Sequence, residues 1–268
     1  MNAVITSVAL VGVEPRPVRV EVHVGSQESG FALVGLPDTA VREAKDRVRA
    51  AMASSGYHFP SRRVTVNLAP ADLPKAGSAY DLPIAMAVLA AAGAVPAGVT
   101  GVVALGELAL DGSVREARGG LAAGFVAREM GIPCVLAGCA AGQASLVNGA
   151  TVRSVGTLGQ AVSVALGESR GGPVPETLSK RANPVVDLAE VRGQAFARRA
   201  LEVAAAGGHH LFLSGPPGSG KTMLARCLPG VLPELTQDEL LQVAQIWSAA
   251  GMHEIPPATP PFCAPHHT

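Results

Sequence analysis

The 268-residue sequence predicts two folded units of mixed α/β and α+β class, and three features lead to this prediction. Valine at every second position of residues 18–24 predicts a strand with one buried face. Residues 211–226 predict a short apolar strand, a glycine-rich turn and a helix in succession. Residues 168–183 are rich in glycine, proline and charge without periodicity, which is typical of a linker. We therefore predict domains at residues 1–167 and 184–268.

The composition predicts a soluble, cytoplasmic protein. Apolar residues make up 48% of the chain, which is enough for real cores. Basic and acidic residues number 21 each, so a nucleic-acid partner would require a local basic patch. The four cysteines form no C-x-x-C pair, which predicts reduced thiols, and the N-terminus lacks a signal-peptide pattern. Because Pro96 and Gly98 interrupt the uncharged stretch 82–106, we expect no membrane-spanning helix.

Hydrophobic periodicity and capping residues predict the order of strands and helices. The predicted strands of the first unit cover residues 3–13, 18–24, 31–34, 64–68, 102–105, 107–110, 134–136 and 152–155. The predicted helices cover residues 82–92, 119–130, 157–166, 194–206 and 237–249, and a further helix follows the N-cap Asp38. Pro15-Arg16-Pro17 is predicted to be the turn between the first two strands.

The helix after this N-cap carries three cations on one side, Arg42, Lys45 and Arg49. Such a face is compatible with DNA binding or with a solvated surface. Because Glu43 and Asp46 are interspersed among the cations, we favour the solvated surface.

The second unit contains a phosphate-loop motif, G-x-x-x-x-G-K-[ST], preceded by a predicted buried strand at residues 211–213. Its residues are Gly215, Pro216, Pro217, Gly218, Ser219, Gly220, Lys221 and Thr222. The glycines let backbone N–H groups turn inward around an anion, and the helix N-terminus adds positive charge. We expect Lys221 to bind the β- and γ-phosphates and the Thr222 hydroxyl to coordinate Mg²⁺. The motif therefore predicts binding of a nucleoside triphosphate.

Hydrolysis would also require an acidic residue at the end of an apolar strand, to hold Mg²⁺ and activate water. The acids after the loop are Glu234, Asp238, Glu239 and Glu254, and none of them follows such a strand. Residues 102–107 show this pattern but belong to the first unit. Two interpretations remain open: the chain is part of a longer ATPase, or it binds nucleotide without a complete hydrolytic site.

Several segments resemble the bacterial magnesium-chelatase-like AAA+ ATPases of the YifB/ComM family. These segments are VGLPDTAVRE at residues 34–43, VNLAPAD at 66–72, DLPIA at 81–85, DLAEVRGQ at 187–194, the phosphate loop, and APHHT at 264–268. They follow the order in which the family carries them and cover nearly the whole chain. The resemblance stops where the family continues to its acidic Walker B strand, sensors and arginine finger.

The resemblance implies that residues 1–167 have the ribosomal-S5-domain-2-like fold, which the Lon protease domain shares. It implies that residues 184–268 begin a P-loop AAA+ domain and end before Walker B. ATP and Mg²⁺ are the implied cofactors, DNA is the implied partner in branch migration during natural transformation, and the full-length form is implied to be a homo-hexamer. Residues 187–194 are implied to lie near the adenine end of the nucleotide pocket.

Two other functions of related proteins have to be weighed. Magnesium chelatase uses a related motor to insert Mg²⁺ into a porphyrin, although its motor subunits do not usually begin with an S5-like domain. A Lon-like protease needs a serine nucleophile and a lysine base, and the matching positions hold Asp81 and Ala122. Lys75 and Ser78 lie near the first position but do not reproduce that arrangement. We therefore expect a non-catalytic first unit.

Two smaller groups of residues are weaker candidates. Cys263, His266 and His267 combine metal-ligand types, but a zinc site needs a further ligand or an open position, and a structural or pore-side role is favoured. His209 and His210 precede the predicted loop strand, and we expect them to be polar residues at its edge.

Overall fold

The computed structural model describes residues 1–26, 29–175, 186–252 and 255–265. The chain divides into a first unit of residues 1–177 and 245–254 and a second unit of residues 178–244 and 255–268. Within the predicted linker, the N–H of Gly172 donates to the carbonyl of Ser154 at 2.8 Å and forms a β-bridge with the first unit. Residues 176–183 of the predicted linker lie outside the described part.

A mixed sheet forms the centre of the first unit. The described strands are β1 (Asn2–Val11), β2 (Glu14–Val24), β3 (Gly30–Val34), β4 (Arg63–Ala69), β5 (Val103–Ala104), β6 (Glu107–Leu108), β7 (Val114–Arg115), β8 (Cys134–Leu136) and β9 (Val152–Ser154). Seven of them pair in the order β3-β4-β2-β1-β5-β8-β9, and β6 pairs with β7 separately. β2 is antiparallel to β1 and β4, whereas the other pairs of the large sheet are parallel. The predicted α/β class is confirmed.

Helices connect these strands and are the main regular elements described in the second unit. The helices of the first unit are α1 (Thr39–Arg42), α2 (Ala44–Ser54), α3 (Asp81–Ala91), α4 (Gly120–Met130), α5 (Gly138–Ser145) and α6 (Leu158–Ala165). The remaining helices are α7 (Ala195–Gly207), α8 (Lys221–Val231) and α9 (Gln237–Ala249). Among the described residues, no helix is both long and apolar enough to cross a membrane.

The valine alternation of β2 places its apolar side chains in the core. Val18, Val20 and Val22 are at most 2% exposed, and the charged residues between them point away from the core. Helix α3 packs near β1 and β2 and is buried on almost every side, which explains why its sequence lacks polar periodicity. The uncharged stretch around α3 is therefore the core helix of a globular unit.

Helices α4 and α5 approach each other so closely that only glycine fits at two positions of α4. A Cβ added to Gly120 would lie 2.3 Å from the carbonyl oxygen of Ala140, and one added to Gly124 would lie 2.8 Å from that of Ala144. Glycine and alanine thus allow backbone-to-backbone packing. Helix α5 was not among the predicted elements, because its glycine-rich sequence has little helical propensity.

The predicted N-cap is confirmed, since the Asp38 carboxylate accepts a hydrogen bond from the Val41 N–H at 2.8 Å. The predicted turn at Pro15-Arg16-Pro17 is wrong, because these residues belong to β2 and pair with β1. β4 pairs with β2 only from Arg19 onward. Both prolines therefore lie where the far edge of β2 is free, and an edge position tolerates their missing N–H groups.

The predicted buried strand at residues 211–213 is also wrong. These residues have no strand partner among the described residues, and Phe212 is 90% exposed. A strand requires a neighbour that satisfies its N–H and C=O groups. The described part of the second unit contains no other strand that could serve as this neighbour.

Candidate functional site

The phosphate loop of the second unit is held between α7 and α8 by a small apolar core. Val191, Leu201, Leu224 and Cys227 form this core. Leu213 packs partly against it, just before the loop begins. Burial in this core raises the pKa of the Cys227 thiol, and nearby carboxylates add to the effect. Cys227 therefore acts as a small apolar residue behind the loop.

Two glycines give the loop a backbone shape that other residues rarely adopt. Gly218 has φ 78° and Gly220 has φ 84°, both in the left-handed region. Gly220 is also the N-cap of α8, and no side chain caps this helix. The N–H groups of Gly218 and Gly220 have no acceptor among the described residues, and the first N–H groups of a helix lack intrahelical partners. The loop therefore presents unpaired donors at a helix N-terminus.

Lys221 lies across this loop. Its Nζ donates to the carbonyl oxygens of Gly215 and Pro216, each at 2.8 Å, and to the Ser219 Oγ at 3.3 Å. The Ser219 N–H in turn donates to the Pro216 carbonyl at 3.3 Å. The amine thus holds the loop in a compact turn with uncharged acceptors only. A phosphate would be a stronger acceptor for the same amine.

Thr222 stands at the start of α8 with its side chain exposed. Its hydroxyl has no hydrogen-bond partner among the described residues and is free to accept or coordinate. The described residues also contain no cluster of three or more His, Cys, Asp or Glu that could hold a metal by itself. A Mg²⁺ ion at Thr222 would therefore depend on oxygen ligands from the nucleotide and water.

Gln194 contacts the loop although it lies outside the G-x-x-x-x-G-K-[ST] motif. Its Nε2 donates to the Ser219 carbonyl at 3.4 Å, and its backbone adopts a left-handed φ of 53° at the start of α7. The Asp187 carboxylate caps the turn at residues 188–190 by accepting from the Ala189 N–H at 2.8 Å. Residues 187–194 thus pack against α8 and the small apolar core, and Gln194 contacts the loop.

Among the acids that follow the loop, Glu239 has a local structural role. Glu239 and Thr236 form a capping box at α9: the Thr236 N–H donates to the Glu239 Oε2 at 2.8 Å. Hydrogen bonds from Thr236 lower the pKa of the Glu239 carboxyl. Glu254 lies outside the described residues, as do His266 and His267, and Cys263 is exposed.

The expected position of His209 and His210 at a strand edge is corrected by the structure. Helix α7 ends at Gly207 with Gly208 in the left-handed conformation, and both histidines follow this C-cap as exposed residues. The His209 N–H donates to the carbonyl of Ala204 at 2.8 Å. Both histidines therefore lie directly after the C-terminus of α7.

Comparison with known proteins identifies the family. Residues 20–138 match the family described as Subunit ChlI of Mg-chelatase, and residues 187–268 match Magnesium chelatase, subunit ChlI. An uncharacterized protein of Mycobacterium tuberculosis is 47% identical over 98% of this chain and 53% of its own length. Escherichia coli YifB is 42% identical over 97% and 52%, and Haemophilus influenzae competence protein ComM is 39% identical over 99% and 54%. The chain belongs to the Mg-chelatase ChlI-related family that includes YifB and ComM.

The family predicted from the sequence motifs is thereby confirmed. The chain spans about half the length of the curated relatives it matches. In this member of the ChlI-related family, the phosphate loop lies inside the matched segment 187–268, and Asp81 lies inside the matched segment 20–138.

Asp81 of this ChlI-related chain is buried and forms an ion pair with Arg47. Its side chain is 1% exposed, and its Oδ2 accepts from the Arg47 Nε at 2.6 Å while Oδ1 accepts from the Arg47 guanidinium at 3.0 Å. The Leu108 N–H also donates to Oδ2, at 3.3 Å. The ion pair raises the pKa of Arg47. A carboxylate with these partners ties α2 to α3 and β6.

The nearby Lys75 and Ser78 do not form a catalytic pair. Lys75 is 1% exposed, and its amine donates to the Pro70 carbonyl, whereas the Ser78 hydroxyl donates to the Glu107 carboxylate. Burial lowers the pKa of Lys75. No hydrogen bond between the two side chains occurs in the described structure, and Ala122 provides no base.

Proposed function

We propose that this chain binds ATP with Mg²⁺ at residues 215–222, as part of an ATP-driven DNA remodeller of the ComM type. One observation carries the nucleotide part of the proposal. The N-terminus of α8, the Lys221 amine and the N–H groups of Gly218 and Gly220 lie together in one exposed loop, and these two N–H groups have no acceptor in the described part of the chain. Such a loop complements the charge and geometry of a polyphosphate.

Each loop residue has a proposed role in this binding. The backbone from Gly215 to Gly220 receives the phosphate oxygens, and Lys221 leaves its carbonyl acceptors to pair with the β- and γ-phosphates. Thr222 supplies a hydroxyl to Mg²⁺, which would neutralise phosphate charge when bound. Gln194 holds the Ser219 carbonyl and thereby fixes the turn.

The wider proposal concerns the longer proteins of this family. It comprises an S5-domain-2-like, non-catalytic first unit, a P-loop AAA+ second unit, a homo-hexameric full-length form and a cytoplasmic location. Support comes from the identity of 42% to YifB and 39% to ComM over nearly all of this chain. ATP turnover is proposed for that longer form, since the described residues of the second unit offer no acid placed after an apolar strand.

A second candidate is the motor of Mg²⁺ insertion into a tetrapyrrole. The descriptions of both matched family segments favour it, because each carries the chelatase name. Branched DNA and a soluble porphyrin, each added to the ATP-loaded chain, separate the two candidates. We expect binding of branched DNA and no binding of porphyrin. The reverse result would transfer the proposal to the chelatase function.

Calorimetric titration of ATP in the presence of Mg²⁺ tests the site itself. Removing a charge-assisted contact in Lys221→Ala should weaken ATP binding by roughly 10- to 100-fold. Lys45→Ala is the matched control, because it removes an exposed lysine of the first unit and should leave the affinity unchanged. Equal affinities of the two variants would contradict the site.

Thr222→Ala separates the metal from the phosphates. We expect this variant to lose the increase in ATP affinity that Mg²⁺ gives the unmodified chain, while binding in a chelator stays the same. Ser214→Ala removes an exposed hydroxyl just outside the loop and serves as its control. A full Mg²⁺ effect in Thr222→Ala would contradict the metal assignment.

A further inference from the structure

A basic surface on the first unit shares no residue with the phosphate loop and is not explained by nucleotide binding. We define it by Arg49 of α2 and by His58 and Arg62 of the α2–β4 connection. All three side chains are exposed. Neither arginine forms an ion pair with a described carboxylate. By contrast, Arg16, Arg19, Arg47 and Arg115 of the same unit are each paired with an acid.

An aromatic ring is built into this basic surface. The guanidinium carbon of Arg49 lies 5.8 Å from the centroid of the Phe59 ring. The centroids of the Phe31 and Phe59 rings are 6.3 Å apart, and the two ring planes are tilted relative to each other. Phe59 itself is only partly buried. These contacts fix both the ring and the cation, so less rotamer freedom remains to be lost when a ligand binds.

The Phe59 ring, His58 and Arg62 border an open groove of about 600 Å³, and Arg49 lies beside it through its contact with the ring. Val24, Ala91 and Ala92 contribute an apolar wall to the same groove. Positive charge along one rim would attract any polyanion. The partly exposed ring and the apolar wall add a preference, because they favour ligands that carry flat apolar faces beside their charges.

We propose that this groove binds single-stranded nucleic acid, with phosphates on Arg49 and Arg62 and a base against Phe59. Stacking on an aromatic side chain beside a cationic track is the general mode of single-strand binding. A duplex keeps its bases stacked inside the helix, so they are not accessible to Phe59. An acidic peptide carries negative charges but no base that could stack on this ring. This inference extends the DNA part of the proposed function, but it depends on neither ATP binding nor turnover.

The test measures fluorescence anisotropy of a labelled mixed-sequence DNA strand of about 20 nucleotides, longer than the ~4–16 that one such site covers. The 268-residue chain is titrated without nucleotide at several salt concentrations. The matching duplex and a poly-glutamate of equal charge serve as competitors. We expect the single strand to bind most tightly. Stronger competition by duplex or poly-glutamate would overturn the assignment to a single strand.

The double variant Arg49→Ala/Arg62→Ala tests the surface. Two lost phosphate contacts should reduce the slope of log affinity against log salt by about 1 and weaken binding by roughly 10-fold. The matched control is Arg118→Ala/Arg128→Ala, which removes the same charge elsewhere on the first unit. Arg128 is a close counterpart of Arg49, since its guanidinium carbon lies 5.2 Å from the Phe125 ring centroid. Equal losses in both double variants would overturn the proposal.

Two further variants distinguish stacking from charge and from the nucleotide site. Phe59→Leu keeps an apolar side chain and should keep the salt slope, while the preference for single strand over poly-glutamate falls. An unchanged preference would remove Phe59 from the site. Lys221→Ala should bind the strand as the unmodified chain does. If the unmodified chain binds ATP but no DNA strand, this inference is wrong and the proposed nucleotide site is unaffected. If it binds the strand but no ATP, the proposed nucleotide site is wrong and this inference is unaffected.

Discussion

The two units differ in how their extended segments are supported. Every strand of the large sheet in the first unit has a ladder partner, and two buried clusters pack around it. In the second unit, residues 211–213 have no ladder partner in the described part, and the described apolar cluster has four buried members. The phosphate loop therefore depends on α7, α8 and this small core, while the basic groove belongs to an extensively packed scaffold.

This contrast has a consequence for stability. Segments with few buried contacts open at lower free energy than core strands and helices. A ligand that binds only the closed loop stabilises it by mass action. We therefore expect ATP to protect residues of the second unit most.

The largest expected effect on local stability comes from replacing one buried leucine with alanine in each unit. Leu89 and Leu201 are 0% and 1% exposed, and replacing either with alanine should cost about 2–5 kcal/mol of local unfolding free energy. Hydrogen exchange with peptide resolution would show Leu89→Ala lowering protection in the first unit and Leu201→Ala in the second. Leu110→Ala is the control, because that side chain is 61% exposed. If either substitution lowered protection in both units, the two units would not be packed independently and the comparison between them would be wrong.

A smaller effect is expected from the buried ion pair of the first unit. Asp81→Ala leaves Arg47 without its main partner and should destabilise this unit by about 3 kcal/mol in denaturant unfolding. The exposed pair of Arg16 and Glu14 provides the comparison, and Glu14→Ala should change stability by less than about 1 kcal/mol. Because Asp81 belongs to the first unit, ATP affinity should remain unchanged. Equal costs for the two variants would show that Asp81 is not a buried structural anchor.

The features that the sequence alone could predict depend on neighbouring residues. The buried valines of β2 follow from a period of two, and the Asp38 cap follows from a side chain three residues before its donor. The phosphate loop could be recognised because all its fixed positions lie within eight residues. Its role in ATP binding remains a prediction.

The features that could not be predicted depend on distant partners. Pro15 and Pro17 belong to a strand because β1 pairs with them on one side only. Residues 211–213 have strand-like composition, but a ladder needs a second strand. Arg47 and Asp81 are 34 positions apart, and no periodicity connects them. The basic surface likewise unites α2 with the connection that follows it, which the helical pattern around Arg49 alone does not reveal.

The smallest expected effect compares two glycines at which an added Cβ would meet open space. Gly220 has nothing within 4 Å of that position but a left-handed φ of 84°, whereas Gly159 also has nothing within 4 Å and lies in α6 with no positive φ. Gly220→Ala should cost about 1–2 kcal/mol through strain and weaken ATP binding, whereas Gly159→Ala should stabilise its helix by up to about 1 kcal/mol. Thermal unfolding and ATP titration of both variants measure the difference. Because neither added methyl group meets a neighbour, opposite signs can arise only from backbone conformation, and equal signs would show that the Gly220 conformation does not hold the loop.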